Sequence, residues 1–161
     1  MAFTNRFTQL KQQLALLPAD AQATALTATL QRMIPILGTL GVTVDEYEPS
    51  RCRLHLPNNI SVQNGWGGIQ AGGIYTTAES VMALVVGANL PDDRLVVAKS
   101  VTIDYLRKAK DGITATALLT DEQATHVQQA DKGELTLESS VTDETGVTVS
   151  RCRAVWVWHS I

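Results

Sequence analysis

The stretch from Gly72 to Ala88, GGIYTTAESVMALVVGA, constrains the fold more than any other part of this 161-residue chain. It reads as one long helix with apolar residues on every side, and such a helix must be covered all round. One carboxylate, Glu79, interrupts it among Ala78, Val81, Met82 and Leu84. Five glycines lie between Gly65 and Gly73, so the most apolar helix begins in the most glycine-rich loop.

The flanking segments indicate what does the covering. Phe7, Leu10, Leu14 and Leu17 recur at helical spacing until Pro18 stops the run. A second helix is expected over Ala21 to Leu37, with Leu26, Leu30, Met33 and Leu37 on one face; Gly38 and Gly41 break it. From Val42 the texture is that of strands, VTVDEY and RCRLHL around a Glu-Pro-Ser turn. After the apolar helix come strand-like stretches at Leu95–Leu106, Ile113–Asp121, Glu134–Asp143 and Val147–Trp158. DETG makes a tight turn between the last two, and QATHVQQADKG is a loop or a short helical insertion. Two strands, one helix and four strands do not alternate as a doubly wound sheet does. The expected class is α+β: one domain, with an antiparallel sheet over residues 42–158 curled around the central helix. Residues 1–38 form a helical extension packed outside it.

Several function classes are disfavoured. A net charge of −3 argues against a nucleic-acid face. The start, MAFTNRFTQLKQQ, has no basic-then-apolar signal pattern, and the run Val81–Ala88 is far short of a membrane span. A soluble, cytoplasmic protein is expected. Cys52 and Cys152 each stand in Ser-Arg-Cys-Arg, without the Cys-x-x-Cys spacing of a zinc or redox site, and read as free strand thiols. A dinucleotide fingerprint needs glycine where Gln70 stands and a βαβ setting, and a phosphate loop needs Gly-Lys-Ser/Thr; neither is present.

What remains is the glycine loop and Glu79. Glycines before a helix admit a ligand close to the backbone, and the free N–H groups of the first turn suit an anion, or a carbonyl oxygen that becomes one. The plainer reading is a tight turn under the sheet. A carboxylate buried without a partner costs several kcal/mol, and its pKa should rise toward that of a useful general base. Otherwise Glu79 bonds a neighbouring loop. Glu79 lies roughly 12 Å along the axis from the helix start, at 1.5 Å per residue. The two features therefore do not converge easily within one chain. Two antiparallel copies of the helix would bring Glu79 of one chain to the helix start of the other, which predicts a two-fold dimer with shared sites.

The spacing resembles that of the hotdog-fold acyl-CoA thioesterases, especially the phenylacetate-pathway type and its relatives. Their motif is Asn-x-x-Gly-x-x-His-Gly-Gly, with an acidic residue seven positions on. Here Asn64 and Gly67 fit, Gln70 replaces the histidine, Ala71 and Gly72 replace Gly-Gly, and Glu79 holds the acidic position. VTIDYLRKAKDGITATA is also similar to the stretch after the family's helix, with Lys108 in place of its proline. The likeness covers about Val42 to Trp158. It implies that Glu79 is the general base or the nucleophile, and that the Ala71 and Gly72 N–H groups hold the thioester oxygen. It further implies that Asn64 orients water or substrate and that Gln70 assists. Gly67, Trp66 and Tyr75 would border the substrate, and Arg107, Lys108 and Lys110 are candidates for coenzyme A phosphates, or else a solvated strand end. The implied substrate is a small or medium acyl-CoA, with no metal or other cofactor, in a homodimer or a dimer of dimers. One rival is a hotdog dehydratase or hydratase, which needs a histidine near the site; His55, His126 and His159 lie outside the motif. The other is an acyl-binding hotdog protein without turnover.

Overall fold

The structure, a computed structural model, describes residues 3–161. Helices α1 (Arg6–Leu14), α2 (Ala19–Met33) and α3 (Pro35–Leu40) precede strands β1 (Thr43–Glu48) and β2 (Arg51–Leu56). The central helix α4 (Ala71–Gly87) follows, then β3 (Arg94–Tyr105), β4 (Ile113–Leu118), a short helix α5 (Asp121–Gln129), β5 (Gly133–Asp143) and β6 (Thr148–Ser160). The six strands form one sheet in the order β1-β2-β4-β5-β6-β3, and every neighbouring pair is antiparallel. Helix α4 packs along the sheet against all of the strands. This is the hotdog arrangement.

Two local outcomes differ from the sequence expectation: the second helix ends early, and the strand expected over Ile113–Asp121 ends at Leu118, before the cap of the next helix. The second helix stops at Met33, because Pro35 has no N–H to continue the ladder and starts a new helix as its first residue. Of the two forms expected for QATHVQQADKG the helical one is found: Thr120 caps α5 through a reciprocal pair of bonds with Gln123, a device that favours a helix over a loop.

The core fills the space between sheet and helix. Val81, Met82, Val85 and Val86 of α4 are fully buried, and Leu54, Leu56, Ile113, Trp156 and Trp158 face them from the strands. Ser139 Oγ donates to the Ala78 carbonyl at 2.8 Å, fixing the helix on β5. Cys52 and Cys152 are free and buried on β2 and β6.

The two sheet edges are treated differently. At the β1 edge, Thr27 Oγ1 of α2 accepts from the Val44 N–H at 3.0 Å, and Gln31 Nε2 donates to the Val42 carbonyl at 2.9 Å. Helix α2 thus covers the start of that edge and satisfies two of its backbone groups. Among the described residues the β3 edge carries no such cover, and Leu95, Val97 and Tyr105 are exposed there. Open strands of this length are usually protected in folded proteins.

The N-terminal helices also clasp the far end of α4. Phe7 packs edge-on against Tyr47 with ring centroids 4.7 Å apart, and Lys11 pairs with Glu48. Asn5, almost wholly buried, caps α1 by accepting from the Thr8 N–H. Its amide nitrogen donates to the Ala88 and Leu90 carbonyls at 3.0 and 2.9 Å, just beyond the end of α4. Replacing Asn5 with alanine removes the cap and strands both carbonyls. We expect Asn5→Ala to cost about 2–4 kcal/mol in urea unfolding. A loss below about 0.5 kcal/mol would mean that the clasp contributes nothing.

Candidate functional site

The helix start is built by a chain of short-range bonds. Gln70, extended, is the N-cap of α4; its side-chain oxygen accepts from the Gly72 N–H, and its carbonyl accepts from the Gly73 N–H. Ala71, the first helical residue, has no helical acceptor for its N–H and none elsewhere among the described residues. Upstream, Asn64 Oδ1 accepts from the Trp66 and Gly68 N–H groups at 2.9 and 3.3 Å, which folds the glycine loop back on itself. Gly67 takes a φ of +79°, which a side chain would strain. A Cβ on Gly68 would sit 2.9 Å from the Ala109 carbonyl oxygen. That carbonyl is tied to the loop, accepting from the Ile69 N–H at 2.8 Å. Asn58 Nδ2 donates to the Gly67 and Lys110 carbonyls at 3.0 and 2.6 Å. The loop and the segment after β3 are therefore one cross-braced wall.

The wall lines a groove of about 730 Å³. Of the residues singled out in the sequence, Asn64, Trp66, Gly67, Ala71, Arg107, Lys108 and Lys110 border it. The three cations are exposed, and Trp66 stands 89% exposed at the loop tip. The structure adds Ile74 and Tyr105 to the lining, and Tyr105 donates its hydroxyl proton to the Ala71 carbonyl at 3.1 Å. Tyr105 lies within VTIDYLRKAK, so its neighbourhood carried a signal. Asn58, the brace, had none.

Gln70, Gly72, Tyr75 and Glu79 lie outside the groove lining. The Gly72 N–H is already occupied by Gln70, so a ligand oxygen reaches it only by displacing that side chain. Such a swap exchanges one hydrogen bond, worth about 0.5–1.5 kcal/mol net, for another. Tyr75 and Glu79 are one helical turn apart on a single face of α4, together with Ala83 and Gly87. This is the face that the sheet leaves open. Glu79 is accordingly half-buried and not fully enclosed as its apolar neighbours suggested. Its polar contact is the Ser80 hydroxyl, which donates at 3.4 Å. Desolvation pulls the Glu79 carboxyl above its ordinary value, and the Ser80 bond offsets this in part. The same surroundings act on Cys152: burial, then the Glu79 charge, push its thiol up to about 11, so it stays neutral at physiological pH and is no nucleophile.

The histidines are elsewhere. His55 contacts Thr114 and Glu144, His126 lies against Trp158, and His159 is near the end of β6. Among the described residues no group of His, Cys, Asp and Glu side chains is placed to hold a metal ion, and no helix is long and apolar enough to cross a membrane.

Comparison with known proteins agrees with this architecture. A Pseudomonas aeruginosa protein of unknown function, named as a probable thioesterase, is 27% identical, with a TM-score of 0.74 over 90% of this chain and 97% of its own. A Haemophilus influenzae thioesterase is 14% identical, with a TM-score of 0.69 over 83% of this chain and 90% of its own. A thioesterase family protein from Silicibacter pomeroyi is also 14% identical, with a TM-score of 0.70 over 84% of this chain and 96% of its own. No curated protein matches the chain. The model of a domain of unknown function, DUF4442, matches residues 22–158, and this hotdog-fold chain belongs to that family.

Proposed function

We propose that the protein hydrolyses an acyl-CoA thioester, with Glu79 as the activating carboxylate and the start of α4 as the oxyanion site. The observation that carries this reading is the desolvated Glu79 carboxylate on the one uncovered face of a helix whose first N–H, on Ala71, is free. The thioesterases among its structural neighbours support the reaction class. In the proposed step Glu79 takes a proton from water, and the hydroxide adds to the thioester carbon. The oxygen becomes negative against the Ala71 N–H, and against Gly72 once Gln70 swings away. The carbon–sulfur bond then breaks, and the Glu79 proton passes to the leaving coenzyme A thiolate. Direct attack by Glu79 instead gives an enzyme anhydride that water opens. Labelled water in a single turnover separates the two: direct hydrolysis puts the heavy oxygen into the acid at once, whereas an anhydride opened at the Glu79 carbonyl first labels the enzyme.

Ala71 and Glu79 are roughly 12 Å apart along one helix, so each site draws on two chains related by a two-fold axis. The open β3 edge supports pairing through that strand. The exposed Arg107, Lys108 and Lys110 at the groove suit the phosphates of coenzyme A, and Asn64, whose Oδ1 is occupied by the loop, offers its Nδ2 donor to substrate or water. Acyl binding without turnover is a second reading. One observation favours it: Gln70 occupies the Gly72 N–H that catalysis would use.

Glu79→Gln keeps the size and removes the base. Turnover should fall by about 10²–10⁴-fold while acyl-CoA still binds; wild-type turnover in the variant would remove Glu79 from the mechanism, and absence of hydrolysis in the wild type would move the binding reading ahead. Light scattering at micromolar concentration should give at least a dimer mass, and a monomer would contradict the shared site. The raised Glu79 pKa adds a stability signature. Its favourable effect on folding is fully present below the unfolded-state pKa and is lost as pH rises through the folded-state value. Glu79→Gln should therefore melt higher than the wild type at neutral pH, with the gain vanishing at acid pH, where both side chains are neutral. An equal melting temperature at neutral pH would show that the carboxylate is not desolvated.

A further inference from the structure

A second cavity, of about 420 Å³, lies at the other end of α4. Its apolar lining includes Phe7 and Leu10 of α1, Leu30 of α2, Tyr47 of β1, Leu84 of α4 and Leu90 just beyond it, with Gln9, Gln13 and Thr29 at the rim. Ala83 and Gly87 also border it. These two follow Glu79 at successive turns of the same face, so the cavity begins roughly 6 Å beyond the carboxylate at 1.5 Å per residue. Both are half-buried, and a Cβ added at Gly87 would meet no atom within 4 Å. The helix surface from Glu79 onward is thus bare of bulky side chains until it reaches an apolar chamber.

We propose that this cavity receives the far end of the acyl group as an aliphatic tail, and that the N-terminal helices set the chain length the protein accepts. The inference rests on the thioesterase reading for its substrate and adds the tail's location and chemical class. The volume lies in the range of small-molecule sites, which are concave and mostly apolar. The charges at the border do not call for an anion. Arg6 lies 3.9 Å from Asp92, while Arg94 lies 2.9 Å from Asp131 and 3.7 Å from Asp93 and also donates to the Ala130 carbonyl. Each guanidinium already faces a carboxylate, leaving the apolar walls to select the occupant. A straight chain fits this path better than a rigid ring, because it must pass along about one helical turn before the space widens.

Gly87→Leu tests the path directly. The helix there has ordinary dihedrals and the space is open, so the side chain should enter the cavity without displacing backbone. The readout is the ratio of kcat/KM for dodecanoyl-CoA to that for butanoyl-CoA, in the full-length protein. In the wild type the longer chain should be preferred, and in Gly87→Leu the ratio should drop by about tenfold or more, as a few lost methylene contacts allow. Leu10→Ala, which enlarges the chamber, should move the ratio the other way, an effect that loss of stability alone does not produce. An unchanged ratio in both variants overturns the tail site while leaving the hydrolase reading intact. If the wild type hydrolyses neither compound, the hydrolase reading fails, and calorimetric titration decides the tail site. Dodecanoyl-CoA binding more tightly than butanoyl-CoA, with the advantage lost in Gly87→Leu, upholds it; equal affinities overturn it. A change in oligomeric mass on Gly87→Leu, with no change in chain-length ratio, would assign the cavity to a second copy of the chain and overturn the proposal.

Discussion

The covering of α4 governs the rest of the structure. A helix this apolar has to lose nearly all of its surface to other parts of the protein. Six antiparallel strands curl over most of it, and Val81, Met82, Val85 and Val86 disappear beneath them. The N-terminal helices close the covered side at β1 and, through Asn5, the end at Ala88. The strip from Tyr75 through Glu79 to Ala83 and Gly87 is left out, with Thr76 beside it and Ala71 and Gly72 at its head. The functional candidates lie along that strip and at its head because it is the part of the helix surface that the fold does not use.

On the proposed reading, Glu79 expresses a conflict between stability and function at that strip. A neutral side chain there would ease desolvation, and the carboxylate is retained with a single long bond from Ser80. The helix start has the opposite character, with an unpaired N–H on Ala71 and a capped one on Gly72. A donor site for a developing anion and a destabilised base are complementary chemical needs. Their separation along one helix is what makes two-fold symmetry an integral part of the functional reading.

Much of this could be read from the chain itself. The central helix was legible to within a residue at each end, because its apolar content and glycine boundary leave little choice. The strands were legible where alternation and turn signals coincide; the one expected over Ile113–Asp121 overran β4 into the cap of α5, where no glycine or proline marks the boundary. Pro35 should have split the second helix, but the face formed by Leu30, Met33 and Leu37 runs on across the break and masks it. The full burial expected of Glu79 was an overestimate, since neighbours in sequence do not reveal which side of a helix a sheet covers. Two features had no local signal at all. Gln70 is a poor capping residue by propensity, yet it caps α4 because its side chain folds back over the helix start. Asn58 joins two segments more than fifty residues apart, which depends wholly on tertiary structure.

The central claim is that each site combines Glu79 from one chain with the helix start of another, and mixing two damaged chains tests it most directly. Ala71→Pro removes only the free N–H, at a first helical position where proline is tolerated and after an extended Gln70 that suits it. Alone, Glu79→Gln and Ala71→Pro should each lose about a hundredfold or more in acyl-CoA hydrolysis. Unfolded together and refolded, they form mixed dimers in which one site regains both intact parts. Activity should then return to roughly a quarter of wild type for an equal mixture with random pairing. Mixed dimers that form but stay as inactive as either parent would contradict the account.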